Sequence, residues 1–351
     1  MRNHRQAENL EVVHVGVVGD LPGGMAQVVS EYLAWDYEVC SVRGLRSTRG
    51  RRDFLSPITW VRSAFNIAIT SRSAGKTVFI FHLSQGGAFI REGSLAFLAR
   101  MLRIPVGIHL HGSNFVEFAN RRPKLVRGIL NQASTVFVLT DETGEKVKSL
   151  VDESVRVAKT RNGVSVPAAI VTKEQIVLFA GELSNRKGVD VLLDSWSQLG
   201  SVKEGWKLLL AGPDTMGIKT EDASIQVLGT VPHSAVKELQ SRAAIAILPS
   251  RAEALPMFLL ESMAHRCAVI STPVGQIESL LKDVGLVVTV GSDSALSEAL
   301  SFLMEDSDAR NNLGVLGQER ILDEFSERII AREMEHEWVR LSNEGCKENV
   351  A

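Results

Sequence analysis

The feature that most restricts what this chain can fold into is an alternation that runs almost its whole length and is performed twice. Short, nearly continuous apolar runs at 12–18, 37–42, 77–81, 106–110 and 135–139 read as strands, with helices over 25–33 and from Ser56 to about Thr70. Ser56 is placed as an N-cap and Pro57 at the first helical position, where a missing N–H costs nothing. A turn-rich stretch at 161–173, with Asn162-Gly163 and Pro167, interrupts the pattern. It then restarts with strands at 176–180, 206–211, 225–228, 244–248, 269–271 and 285–290, and helices at 189–199, 235–241 and 256–265. Strands without polar alternation are buried on both faces, which requires a parallel sheet covered by helices on each side. Two such sheets in 351 residues predict two α/β domains.

Composition agrees with a folded enzyme-sized chain: 45% hydrophobic and 23% charged, which excludes disordered and fibrous classes. Three cysteines, Cys40, Cys267 and Cys346, follow no pairing or zinc-binding pattern, as suits a reducing compartment. No run of 18 apolar residues is present, and no signal-peptide core follows the polar start. A cytoplasmic location is therefore expected. The charge is uneven. Residues 1–165 carry 22 Lys+Arg against 14 Asp+Glu, whereas 166–351 carry 17 against 27. The two halves are expected to face different partners.

The turn after the first strand, Gly19-Asp-Leu-Pro-Gly-Gly24, is not a dinucleotide fingerprint. That motif needs G-x-G-x-x-G and an acidic tip on the second strand, and here the tip is basic at Arg43. No Gly-Lys-Ser/Thr follows either, so a P-loop is excluded. Gly23 and Gly24 remain as an ordinary tight turn or as a place where backbone N–H groups approach an anion.

The denser signal lies in the second half. Leu248-Pro-Ser-Arg-Ala-Glu-Ala-Leu-Pro-Met-Phe-Leu-Leu-Glu joins a strand end to a helix expected to begin at Pro256. Glu253 falls in the loop, and Glu261 about one and a half turns into the helix. Amides around Ala254, Leu255 and Phe258 would offer an anion site at the helix start. A carboxylate such as Glu261 matches a ribose diol, because it accepts two hydrogen bonds. Arg186 and Lys187, within Gly181-Glu-Leu-Ser-Asn-Arg-Lys-Gly188, could neutralise a leaving diphosphate without a metal.

With these residues in order, the chain resembles a retaining GT-B glycosyltransferase of the family 4 type found in bacterial cell-surface polysaccharide synthesis. The carriers are Gly23-Gly24, His109-Leu-His111-Gly112, Asn162-Gly163-Val164, Lys187-Gly188, Glu253…Glu261 with Pro256, and Thr272-Pro-Val-Gly-Gln-Ile-Glu278. The resemblance implies two Rossmann-like α/β domains facing across a deep cleft. Residues 1–165 would bind the acceptor and 166–330 the nucleotide sugar. A C-terminal helix and tail, 331–351, would pack back toward the N-terminal domain. It also implies roles. Glu253 would contact donor-sugar hydroxyls, Glu261 the ribose and Lys187 the diphosphate. Gly24 would close over the phosphates, and His111 would sit near the transferred sugar. Catalytic work would thus fall to His111, Glu253 and Lys187, and donor binding also to Gly23, Arg186, Ala254 and Leu255.

Two positions depart from the family pattern. Glu182 stands where Arg is usual, and Ala254 where Gly is usual. Arg186 is expected to compensate for the reversed charge at Glu182. The alternative kept open by Glu182 is a non-catalytic nucleotide-sugar-binding or scaffold protein on the same fold.

No metal and no cofactor beyond the nucleotide-sugar co-substrate are expected. Asp306-Ser-Asp308 reads as a turn and helix cap. His109 and His111 are taken to face opposite sides of the strand end, which would make one a core histidine. A zinc site would need a third ligand, for which His82 is a candidate by number alone. Arg43, Arg46, Arg49, Arg51 and Arg52 precede the helix bearing Trp60, Phe65 and Ile69. Arg46, Arg49, Arg51, Arg52 and Trp60 are candidates for a lipid-diphosphate-linked acceptor or an anionic membrane surface. The competing reading packs Trp60, Ala64 and Ile67 on the sheet. Nucleic acid is not an expected partner, since no helix-turn-helix, aromatic platform or zinc pattern accompanies the arginines.

Overall fold

A computed structural model describes residues 10–19, 23–48, 56–70, 76–112 and 114–348. The chain divides into two compact units, Met1–Asn162 with Arg328–Ala351, and Gly163–Glu327.

The first unit holds strands β1 (Leu10–Gly16), β2 (Cys40–Arg46), β3 (Thr77–Leu83), β4 (Val106–Leu110), β5 (Thr135–Val138) and β6 (Arg156–Lys159). Its helices are α1 (Gly24–Ala34), α2 (Ser56–Thr70), α3 (Gly87–Met101), α4 (Phe115–Arg121), α5 (Pro123–Leu130) and α6 (Asp141–Lys148). All strand pairings are parallel, in the order β2-β1-β3-β4-β5-β6. Period-two alternation sorts the side chains. Val13, Val15, Phe79, Phe81, Leu83, Val106, Ile108, Leu110, Val136 and Val138 join one core cluster with Ile67, Phe89, Leu95 and Leu130 from the helices. Positions between them, including His14, His82 and His109, line the other face with Tyr32 of α1.

The second unit holds β7 (Glu174–Ala180), β8 (Lys207–Ala211), β9 (Ile225–Gly229), β10 (Ala243–Leu248), β11 (Ala268–Ser271) and β12 (Leu286–Val287). Its helices are α7 (Val189–Gln198), α8 (His233–Arg242), α9 (Met257–Ala264), α10 (Ile277–Leu281), α11 (Asp293–Glu305) and α12 (Ser307–Glu324). The sheet is again parallel, in the order β12-β11-β10-β7-β8-β9. Strand β10 is buried at all six positions, as its unbroken apolar sequence requires. Ligands of open α/β sheets bind beyond the carboxyl ends of strands where the order reverses, here between β7 and β10.

Helix α13 (Glu327–Glu348) ends the described chain and belongs, from Arg328, to the first unit. Trp338 is fully buried there, 5.1 Å from the His14 ring, and Glu335 accepts from the N–H groups of Val39 and Cys40 at 2.7 and 2.9 Å. A Cβ on Gly107 of β4 would lie 2.7 Å from Ile80 and 3.1 Å from both Leu341 of this helix and Phe137.

Some boundaries move. The first strand ends at Gly16 rather than 18, and the second runs from Cys40 to Arg46 rather than 37–42, so its basic tip is Arg46. Pro256 is the N-cap of α9, in an extended conformation, and the helix begins at Met257. Asp306 caps α12 by accepting from Asp308 and Ala309 N–H groups, which settles Asp306-Ser-Asp308 as a cap.

Candidate active site

The strand-end loops of the second unit are interlocked at the β7/β10 reversal. Gly188 has φ 73°, and a Cβ there would lie 1.9 Å from the Pro249 carbonyl oxygen. Only glycine allows both the left-handed backbone and this approach. Arg251 N donates to Arg186 O at 2.9 Å, and the Arg251 guanidinium forks onto both Asp190 oxygens at 2.8 Å. That fork holds the Asp190 carboxyl below the usual range. Two loops distant in sequence are therefore tied together.

Within this frame the Lys187 ammonium donates to Glu253 Oε1, with 16% and 10% of the two side chains exposed. Ser250 Oγ donates to the same oxygen at 2.9 Å. The loop bearing Glu253 is braced from behind by the 272–276 turn. Thr272 Oγ1 donates to Ser250 O at 2.5 Å and Gln276 N to Ala254 O at 2.9 Å. Gly275, at φ 60°, leaves no room for a Cβ, which would lie 2.4 Å from Glu253 O. This explains the glycine of that stretch. Glu278 is exposed at the start of α10.

Glu261 is 2% exposed. Its Oε1 meets His233 Nε2 at 2.8 Å, and its Oε2 has no hydrogen-bond partner among the described residues. A buried carboxylate oxygen without a donor is costly unless a ligand or water supplies one. Sequence reasoning did not single out His233. It opens α8, twenty-eight residues before Glu261, and no local spacing connects the two.

Of the other expected residues, Arg186 is exposed. Its Nη1 donates to Ala252 O at 3.2 Å, and its Nη2 lies 3.9 Å from Glu182 Oε2. The cation is thus beside the departing Glu182, in position to offset it. Leu255 is buried and Ala254 half-buried. In the first unit, Gly23 and Gly24 are exposed at the start of α1, where a Cβ at either would meet nothing within 4 Å.

His109 and His111 do not face opposite sides. Residues two apart on a strand share a face, and their ring centroids are 4.2 Å apart. His82 Nδ1 lies 2.8 Å from His111 Nε2, and His14 Nδ1 lies 2.7 Å from His82 Nε2. Burial pushes His111 down to about 3, so its ring is neutral at pH 7.

Trp60 does not project outward. It packs against the core, and its Nε1 donates to Ser94 Oγ of α3 at 3.0 Å. Ile67 is buried, as the packed-face reading requires. The exposed apolar side chains of α2 are instead Ile58, Val61, Phe65 and Ile69. Arg46 is exposed and donates to Val18 O at 2.7 Å. Arg49, Arg51 and Arg52 lie outside the described residues.

Comparison with known proteins fits this geometry. Residues 165–320 match the family described as Glycosyl transferases group 1. The putative teichuronic acid biosynthesis glycosyltransferase TuaC of Bacillus subtilis is 24% identical over 226 residues, 60% of this chain and 57% of TuaC. The chain thus matches little more than half the length of that relative. Sucrose-phosphate synthase of Thermosynechococcus elongatus superposes with a TM-score of 0.72 at 18% identity, over 95% of this chain and 99% of that one. Anabaena HepE, solved with UDP and glucose, gives 0.72 at 13% identity over 94% and 99%. Residues 165–320 are therefore similar in sequence to group 1 glycosyl transferases, and the chain has the GT-B fold of these structural neighbours.

Proposed function

We propose that this chain is a retaining glycosyltransferase of the family 4 type. It moves a hexose-type sugar from a nucleotide diphosphate to a hydroxyl of a glycan or lipid-linked glycan, in cell-surface polysaccharide synthesis. The observation that carries this reading is the second unit's strand-end frame. It pairs Lys187 with Glu253 and leaves Glu261 Oε2 buried without a donor among the described residues.

In this reading the ribose hydroxyls complete Glu261, whose other oxygen is fixed by His233. The diphosphate draws the Lys187 ammonium from Glu253, and Glu253 is released toward the sugar hydroxyls. Negative charge then grows on the leaving diphosphate as the sugar acquires oxocarbenium character. Lys187, Arg186 and the N–H groups opening α9 meet that charge without reorganising, which is where such stabilisation is largest. The transfer is metal-independent. The acceptor attacks from the face the diphosphate leaves, and the diphosphate oxygen takes its proton.

The first unit is the acceptor side, and it rests on the cytoplasmic face of an anionic membrane. Support comes from the basic balance of residues 1–165 and the exposed row Ile58, Val61, Phe65 and Ile69 on α2. No described helix is long and apolar enough to cross a membrane.

Thermal-shift titration with UDP, GDP, ADP and their common sugars, with and without EDTA, tests the donor site. One nucleotide should raise the melting temperature of the wild type, equally in EDTA, and fail to do so for Glu261→Ala. No shift with any nucleotide would overturn the transferase reading in favour of a scaffold. NMR of the glycoside product then reads the anomeric configuration, and an inverted product would refute the retaining assignment.

A further inference from the structure

The first unit contains a histidine cluster of which only His111 has an expected part in the transfer reaction. His82 and His109 are register partners on the adjacent strands β3 and β4, and both are fully buried. His111 stands on the same face and is half-buried. One nitrogen from each of the three rings lies within 4.8 Å of the other two. His109 is the anomaly. It is 0% exposed, yet neither ring nitrogen has a hydrogen-bond partner among the described residues. An imidazole must carry at least one N–H or lone pair at each nitrogen, so such a ring leaves both uncompensated in an apolar compartment.

We propose that His82, His109 and His111 bind one divalent transition-metal ion, with His14 as the outer partner that orients His82. The ligand set is three imidazoles, which suits zinc, copper, nickel or cobalt and disfavours magnesium or calcium. Hydrogen bonding already assigns the nitrogens. His82 Nε2 is taken up by His14 Nδ1 at 2.7 Å, so Nδ1 is the ligand atom of His82. This is the outer-shell bond that ligating histidines use to fix ring orientation. His82 Nδ1 and His111 Nε2 now share one proton across 2.8 Å. The ion replaces that proton and engages the lone pair of His109. With bonds of about 2.0–2.1 Å, tetrahedral ligands sit roughly 3.4 Å apart. The 2.8 Å pair opens slightly, and the other separations, all within 4.8 Å, close to that distance. Half-buried His111 is the point of entry, and the fourth position is left to water. The site lies in the first unit, whereas Lys187 and Arg186, the cations assigned to the diphosphate, lie in the second.

The experiment uses the full chain without a histidine tag, stripped with chelator. It is titrated with Zn2+ by calorimetry and with Co2+ by visible absorption, with Mg2+ as a comparison. One equivalent of Zn2+ should bind, and Co2+ should give the intense d–d bands of a tetrahedral site. Loss of an outer-shell partner costs about 10–100-fold in affinity, so His14→Phe should weaken binding by that factor and His109→Phe by at least ~100-fold. His109→Cys should keep the equivalent and add a thiolate-to-Co2+ charge-transfer band, a signature that a merely structural role would not produce. His336→Gln, at an exposed histidine, should change nothing. Circular dichroism establishes that each variant is folded. If folded wild type binds no saturable equivalent, or binds it equally in His109→Phe, the proposal is wrong and His109 faces trapped water instead. Nucleotide binding is read separately, so failure here leaves the donor site standing, and the reverse holds.

Discussion

At the level of single residues, the second unit's site is built from groups whose partners leave one valence open. Lys187 is held by Glu253, and removing its ammonium leaves that carboxylate, 10% exposed, with Ser250 as its one side-chain partner among the described residues. On the proposed mechanism Lys187→Ala lowers kcat/KM by about 10²–10³-fold, since the cation assigned to the developing charge is lost. The drop should fall on kcat as much as on KM, read by steady-state assay against the best donor. Gly188→Ala combines a φ of 73° with a Cβ 1.9 Å from a carbonyl oxygen. It should cost about 2–3 kcal/mol and decouple the two loops, measured by urea denaturation. Asp222 is a control of a different kind. Hydrogen bonds from Lys203 and Ser224 hold its carboxyl at about 2, below its ordinary value of 3.8. A depressed carboxyl adds stability above its unfolded pKa and loses it as pH falls through the folded one. Wild type should therefore weaken between roughly pH 4 and pH 2 more steeply than Asp222→Asn, followed by acid-unfolding curves. Glu253 and Glu261 were legible in sequence because they sit eight residues apart on one loop and the helix that follows it, and Lys187 because it stands beside Arg186 between two glycines. His233 was not, because a contact between α8 and α9 leaves no periodic trace.

Elements were legible in proportion to how apolar they are. Strand β10 is buried at every position, and the sequence shows it as an unbroken apolar run. Strand β6, Arg-Val-Ala-Lys, carries only two apolar residues and was invisible. Helix α3 was missed as well. It includes Gly93, where a Cβ would come within 2.7 Å of Ile129, so close helix contact rather than a wide apolar stripe selects that residue. Helix α2 was placed correctly from Ser56 to Thr70, but its outward row does not include Trp60. Trp60 is the aromatic that draws attention in sequence, yet it packs on α3. The outward row is Ile58, Val61, Phe65 and Ile69, with Phe65 66% exposed. Val61→Glu with Phe65→Glu should leave the unfolding free energy within about 1 kcal/mol of wild type. The pair should abolish co-sedimentation with phosphatidylglycerol vesicles and spare soluble-acceptor activity. Unchanged vesicle binding would remove α2 from the membrane reading.

For the molecule as a whole, the two-sheet plan followed directly from the repeated alternation, because parallel strands must be apolar on both faces. The return of α13 to the first unit is a matter of tertiary packing. Trp338 fills a compartment lined by His14, Tyr32 and Tyr37, and Glu335 ends on the backbone of 38–40. Trp338→Ala should cost about 3–5 kcal/mol by opening a cavity there. A fragment of residues 163–327, which keeps its whole sheet, should fold and retain nucleotide binding. Residues 1–162 alone should not reach a cooperative fold, measured by thermal melts of the two fragments.

That division has a consequence for biosynthesis. The first unit begins emerging from the ribosome first but is completed last, because Trp338 is translated only after the entire second unit. At about 5–20 residues per second, the nascent sheet waits roughly 10–30 s with its Tyr32 face uncovered. During that interval the second unit can finish folding as an insert. A ribosome stalled before residue 338 would release a chain with one finished half and one exposed apolar face, a natural client for chaperones.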